Sequence, residues 1–122
     1  MHEMALMQSV REIVDGAARA NGAARVTVVR LKIGALAAVD PRALQFAFDV
    51  VMRGGPAERA ALEILSVPGA AWCWDCARTV APGAAEFGCP ECGGYRLEIT
   101  GGTEMQVHEI DLAADQEVST CA

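Results

Sequence analysis

The chain has 122 residues, 52% of them hydrophobic and 21% charged, a composition that belongs to a folding protein and excludes an intrinsically disordered one. That length holds one ordinary domain, or a small domain plus a metal-stapled module. The formal net charge is −6, the sign opposite to that of a phosphate-binding surface, so nucleic-acid binding is disfavoured from the outset.

Met1-His2-Glu3 opens with neither a basic n-region nor an apolar h-region, and no apolar run approaches the roughly 20 residues of a membrane span. The expected compartment is the cytoplasm, where cysteines stay reduced and bind metal in preference to forming disulfides. Leu6, Val10, Ile13, Val14 and Ala17 recur at helical spacing, with Arg11, Glu12 and Asp15 between them, predicting an amphipathic helix over 4–21 that Asn21-Gly22 stops. Residues 25–33 alternate, Val29, Leu31 and Ile33 against Val28, Arg30 and Lys32, which predicts a strand ended by Gly34. A second helix opens at Asp40-Pro41, a capping carboxylate followed by a residue suited to the first helical position. Its expected core stripe is Leu44, Ala47, Phe48 and Val51, widened by Phe46 and Val50, and Gly54-Gly55-Pro56 stops it.

Residues 61–67 read as a second strand, halted by Pro68-Gly69, and Tyr95 to Thr100 as a strand leaving a cysteine-rich stretch. In the last strand, 104–112, the apolar phase slips: Met105 and Val107 are odd, Ile110 and Leu112 even, so one residue near His108-Glu109 is expected to bulge. This strand is expected to return to the first sheet. The elements sum to an α+β fold. A small sheet with two helices is built from 1–68 and a returning strand at 103–113, a four-cysteine zinc-ribbon-like domain is inserted at 69–102, and 114–122 form a tail expected to fray.

The inserted stretch carries Cys73, Cys76, Cys89 and Cys92, in the spacing C-x2-C-x12-C-x2-C. Four thiolates so spaced suit one tetrahedral soft metal, most often zinc, and they close its coordination shell, which argues for a structural rather than a catalytic ion. A deaminase-type Zn site needs an upstream His-x-Glu that is missing here. Iron would use the same four ligands, so the ligand set alone does not choose between the two metals. Trp72, Trp74 and Phe87 flank the cysteines and are expected to form the small core of a module that needs its metal to fold. Cys121 reads as a free thiol without a role.

A second constellation is the first three residues. The Met1 amine, the His2 amide nitrogen and the His2 imidazole can close adjacent chelate rings on one ion, and deprotonated amide ligation favours a square-planar Ni(II) or Cu(II). Glu3 adds a carboxylate that can neutralise charge or orient the imidazole, and the bulk of His2 is expected to keep the initiator methionine in place. Against this stands the plainer reading of a histidine idle at a mobile terminus. His108 reads as a surface strand residue, no carboxylate pair has catalytic spacing, and no Gly-rich phosphate loop is present.

Met1-His2-Glu3-Met4, Arg30-Leu31-Lys32-Ile33-Gly34-Ala35-Leu36, Phe46-Ala47-Phe48-Asp49-Val50-Val51, the two cysteine knuckles and Thr100-Gly101-Gly102, in that order, resemble the HypA/HybF family of nickel metallochaperones of [NiFe]-hydrogenase maturation. The resemblance spans roughly residues 1–112. It implies a carrier and not an enzyme, with Ni(II) as cargo and Zn(II) as a structural ion. It places nickel on His2, the Met1 amine and Glu3, and zinc on Cys73, Cys76, Cys89 and Cys92. It implies a partner GTPase (HypB) and the hydrogenase large-subunit precursor as recipient; a homodimer is a further expected form, and the charge and the lack of a long apolar run give no expectation of a nucleic-acid or membrane partner. Some relatives carry a histidine just after the last knuckle, whereas this chain has Gly94-Tyr95, so the zinc module is not expected to complete the nickel shell. The competing reading is a zinc-ribbon adaptor that binds protein. Nucleic acid is a poor partner for it, since 69–102 hold Arg78 and Arg96 against Asp75, Glu86, Glu91 and Glu98.

Overall fold

A computed structural model describes residues 3–82 and 88–113. The elements run α1 (Glu3–Ala20), β1 (Val26–Gly34), α2 (Pro41–Val51), β2 (Ala61–Val67), β3 (Ala70–Cys73), β4 (Arg78–Val80), β5 (Leu97–Gly101) and β6 (Met105–Leu112). Two helices and two small sheets make the α+β fold that the sequence pattern implies.

The first sheet has the order β2-β1-β6. The Val26 amide donates to Pro56 O (2.9 Å) and the Ala35 amide to Val67 O (2.8 Å), so β1 and β2 run the same way, joined by α2 as a crossover. The Gly34 amide donates to Glu104 O (2.8 Å) and the Ala113 amide to Arg25 O (3.0 Å), so β6 returns antiparallel on the other side of β1. Arg30 on the central strand reaches both neighbours, with Glu63 of β2 at 2.9 Å and Asp111 of β6 at 2.9 Å, and Glu109 at 3.5 Å. One guanidinium among three carboxylates pins the register of both pairings. Val107 and Ile110 are both half-buried, with exposed His108 and Glu109 between them, so the apolar phase does slip where the sequence slips.

Val29, Leu31 and Ile33 are buried along β1, in the expected phase. In α2, Asp40 caps the helix by accepting from the Arg42 amide at 3.0 Å, and Leu44, Ala47 and Phe48 are buried. Met52 joins them, while Phe46 points outward at 65% exposure, so the expected widening of the stripe through Phe46 is corrected. The buried face of α1 is Met7, Val10, Val14 and Ala18. Ile13 is 52% exposed, so the true stripe is rotated toward Met7 and Ala18. An alanine-rich helix offers several apolar arcs of similar width, and packing against α2 selects one.

The chain divides into two compact units, one formed by 1–31, 39–64 and 106–122, the other by 32–38 and 65–105. Three of the four crossings between them fall within strands β1, β2 and β6. Inside the second unit Gly34, Gly69 and Gly102 allow backbone to meet backbone. A Cβ on Gly34 would lie 2.0 Å from the Gly102 carbonyl, and one on Gly102, whose φ is +96°, would lie 2.5 Å from Gly69 Cα. The second sheet, order β4-β3-β5, belongs to this unit, and its β3–β5 ladder shifts register between Ala70 and Ala71.

Candidate metal centre

Cys73 ends strand β3, and antiparallel pairing of Cys73 with Arg78 closes a hairpin around Cys76. In the turn the Ala77 amide donates to Cys73 O at 2.8 Å, with Ala77 at φ +57°. The second pair sits on a like turn. The Gly93 amide donates to Cys89 O at 2.9 Å, the Cys89 amide to Gly94 O at 2.8 Å, and Gly93 takes φ +75°. These two turns are metal knuckles. They point backbone N–H groups at sulfur: Cys76 N to Cys73 Sγ, Glu91 N to Cys89 Sγ and Gly94 N to Cys92 Sγ, each 3.4 Å.

The four sulfurs converge. Cys73 Sγ lies 3.7 Å from Cys92 Sγ, Cys76 Sγ lies 3.9 Å from Cys89 Sγ, and all four fall within 4.8 Å of one another. Four thiolates about 2.3 Å from a tetrahedral zinc stand about 3.8 Å apart, so the donor set fits that ion. Among the described residues this is the one cluster of His, Cys, Asp or Glu side chains close enough to hold a metal.

The electrostatics of the thiols ask for a cation. A hydrogen bond with the Cys92 thiol, then burial, push the Cys76 thiol up to about 12. Cys89 goes the other way, lowered first by a backbone hydrogen bond from Cys92. One thiolate is supported by its neighbours, but four crowded negative charges oppose one another. A divalent ion at their centre removes that conflict.

The packing around the centre departs from expectation. Among the described residues the module's core is Ala71, Cys73, Val80 and Cys89, with Cys76 and Leu97 packed against it. Trp74 is 55% exposed and Trp72 is half-buried, meeting it edge-on at 6.1 Å, so the expected place of the two tryptophans in that core is corrected; Phe87 lies outside the described residues. A residue beside a ligand on a strand points away from the metal, because neighbours in a strand face opposite sides. The sequence reading also missed two cross-knuckle ion pairs, Arg78 with Glu91 and Arg96 with Asp75 (2.9 Å). The two acids, Asp75 and Glu91, stand at matching knuckle positions, each with an arginine in reach on the other side, and that was the available signal.

Of the other residues singled out, Glu3 is the first residue of α1, half-buried, and Met1 and His2 lie outside the described residues. The tail from 114, including Cys121, also lies outside them. His108 is exposed on β6. No helix among the described residues is long and apolar enough to cross a membrane.

Comparison with known proteins agrees with this arrangement. Residues 1–112 match the family described as hydrogenase/urease nickel incorporation metallochaperone, HypA. The hydrogenase maturation factor HypA of Albidiferax ferrireducens is 51% identical over 113 residues, covering 92% of this chain and 99% of that protein. The protein of the same name from Rhodobacter capsulatus is 51% identical over 112 residues. The solution structure of the Ni metallochaperone HypA from Helicobacter pylori superposes with a TM-score of 0.65 at 26% identity, covering 93% of this chain and 99% of that one. A second HypA solution structure gives 0.70 at 27% identity. By sequence over nearly its whole length and by fold, the chain belongs to the HypA family of hydrogenase/urease nickel-incorporation metallochaperones.

Proposed function

We propose that this chain is a cytoplasmic nickel carrier that takes Ni(II) through its N-terminal residues and delivers it to the [NiFe]-hydrogenase large-subunit precursor, with a structural zinc held by Cys73, Cys76, Cys89 and Cys92. The observation that carries the reading is the closed four-sulfur shell inside a nickel-incorporation family. Four thiolates leave zinc no open position for exchange or catalysis. The cargo therefore needs donors elsewhere, and the chemistry of a carrier replaces that of an enzyme.

Nickel(II) favours nitrogen donors, and the chain has two imidazoles, His2 and His108. His108 stands on an exposed strand position with no metal-holding group assembled about it among the described residues. His2 has the Met1 amine and its own amide nitrogen as built-in companions. Glu3, at the first turn of α1, puts a carboxylate at the positive end of the helix dipole, where it offsets the repulsion a bound cation would meet. The names of the relatives point to hydrogenase as the recipient. A partner GTPase (HypB) would drive transfer, with the chain as monomer or homodimer.

Calorimetric titration of Ni(II) into the zinc-loaded chain, beside His2→Ala, tests the assignment. One nickel site on the native chain that is lost in the variant is the expected outcome, with affinity weakening as the imidazole protonates between about pH 7.5 and about pH 6. Equal binding by both chains would place nickel elsewhere. It would favour the zinc-ribbon adaptor, a reading to which the exposed Trp74 and Tyr95 of the zinc-holding unit lend support.

A further inference from the structure

The two knuckles are repeats of one turn, offset by sixteen positions: Cys73 matches Cys89, Cys76 matches Cys92, Ala77 matches Gly93 and Arg78 matches Gly94. The backbone bond that closes the turn is the same in both, from Ala77 N to Cys73 O (2.8 Å) and from Gly93 N to Cys89 O (2.9 Å). The donor to the second cysteine of each pair is not repeated. Gly94 N donates to Cys92 Sγ at 3.4 Å. Its counterpart Arg78 begins strand β4 and is paired with Cys73, and it makes no such bond to Cys76. Cys73 and Cys89 receive their own N–H groups from Cys76 and Glu91. Among the described residues, Cys76 alone of the four sulfurs receives none.

We infer that Cys76 is the zinc ligand through which soft electrophiles enter the site, an inference that rests on the zinc reading of the four cysteines. An N–H donor stabilises the charge on a thiolate and makes its lone pair less available. A coordinated sulfur without a donor keeps more of its nucleophilicity. Access separates the remaining candidates. Cys73 is fully buried and Cys89 is 3% exposed, whereas Cys76 is half-buried and Cys92 exposed. Exposure alone would rank Cys92 first, and the donor pattern reverses that order. With an activated alkene such as a maleimide, the Cys76 sulfur lone pair forms a C–S bond and the C=C π bond breaks. The resulting enolate takes a proton from water. The product thioether is neutral and binds zinc weakly, so the first addition loosens the ion.

The test uses the full zinc-loaded chain with Cys121→Ser, which removes the fifth thiol, after its zinc content has been measured. N-ethylmaleimide is added below one equivalent, and the label is located by peptide fragmentation in a mass spectrometer. Zinc release is followed in parallel with a coloured chelator. Several-fold more label on Cys76 than on Cys92, with zinc released in step, is the expected result. Zinc bound but Cys92 labelled first, or label spread evenly over the four cysteines, overturns the inference alone. A chain that binds no zinc overturns the zinc reading and this inference with it.

Discussion

Arg11 shows how much one side chain can hold. It leaves the middle of α1 and donates through Nη1 to Val51 O (2.6 Å) and Arg53 O (2.8 Å), carbonyls at the C-terminal end of α2 that have no helical partner. Asp15, one turn on, fixes the guanidinium at 3.1 Å, and Gly55 leaves room for it, since a Cβ there would lie 2.7 Å from Nη2. A cation at a helix C-terminus also meets the favourable end of the dipole. Arg11→Met, which keeps the stem and removes the donors, is expected to destabilise the chain by about 1–3 kcal/mol in urea unfolding. At the metal centre the relevant residue is Cys76. Its thiol is pushed up to about 12, so at neutral pH it is protonated before metal arrives. A metal ion that binds this sulfur must expel that proton, so affinity is expected to rise with pH. Calorimetry from about pH 6 to about pH 8, in buffers of different ionisation enthalpy, should show tighter binding and proton release. Affinity that does not change with pH would argue against ligation by all four thiolates.

At the scale of elements, helix faces carry the energetics. Phe48 is 1% exposed on α2 and Phe46, two residues away, is 65% exposed. Phe48→Ala is expected to cost about 3–5 kcal/mol, the usual loss for a buried aromatic. Phe46→Ala should fall within about 0.5 kcal/mol of the native chain, as surface changes do. Similar losses from both would mean that Phe46 is covered in solution. The helix existence, its cap at Asp40 and the core positions Leu44, Ala47 and Phe48 were legible because propensity, capping chemistry and period agree there. The choice of Met7 over Ile13 on α1 was not legible. Both lie on apolar arcs of the same helix, and the partner surface makes the selection.

At the scale of the molecule, the chain divides into two compact units. Two of the four buried residues of the small core are cysteines of the candidate metal centre, so that core is expected to be too small to persist without a bound ion. Chelation of the proposed metal, or Cys73→Ala, is expected to remove amide-exchange protection from β3, β4 and β5 while α1 and α2 keep theirs. Simultaneous loss in both regions would show one cooperative core.

Cysteine spacing by itself determined the metal knuckles, because four soft ligands at fixed offsets leave few alternatives. The ordered run of motifs from Met1-His2-Glu3 to Gly101-Gly102 was enough to suggest the family. Tertiary structure alone decided which sulfur lacks an N–H donor, which tryptophan faces solvent, and which carbonyls Arg11 closes. It also decided where the compact units divide, with three of the four crossings inside strands. These facts depend on contacts between residues distant in the chain, and local pattern carries no record of such contacts.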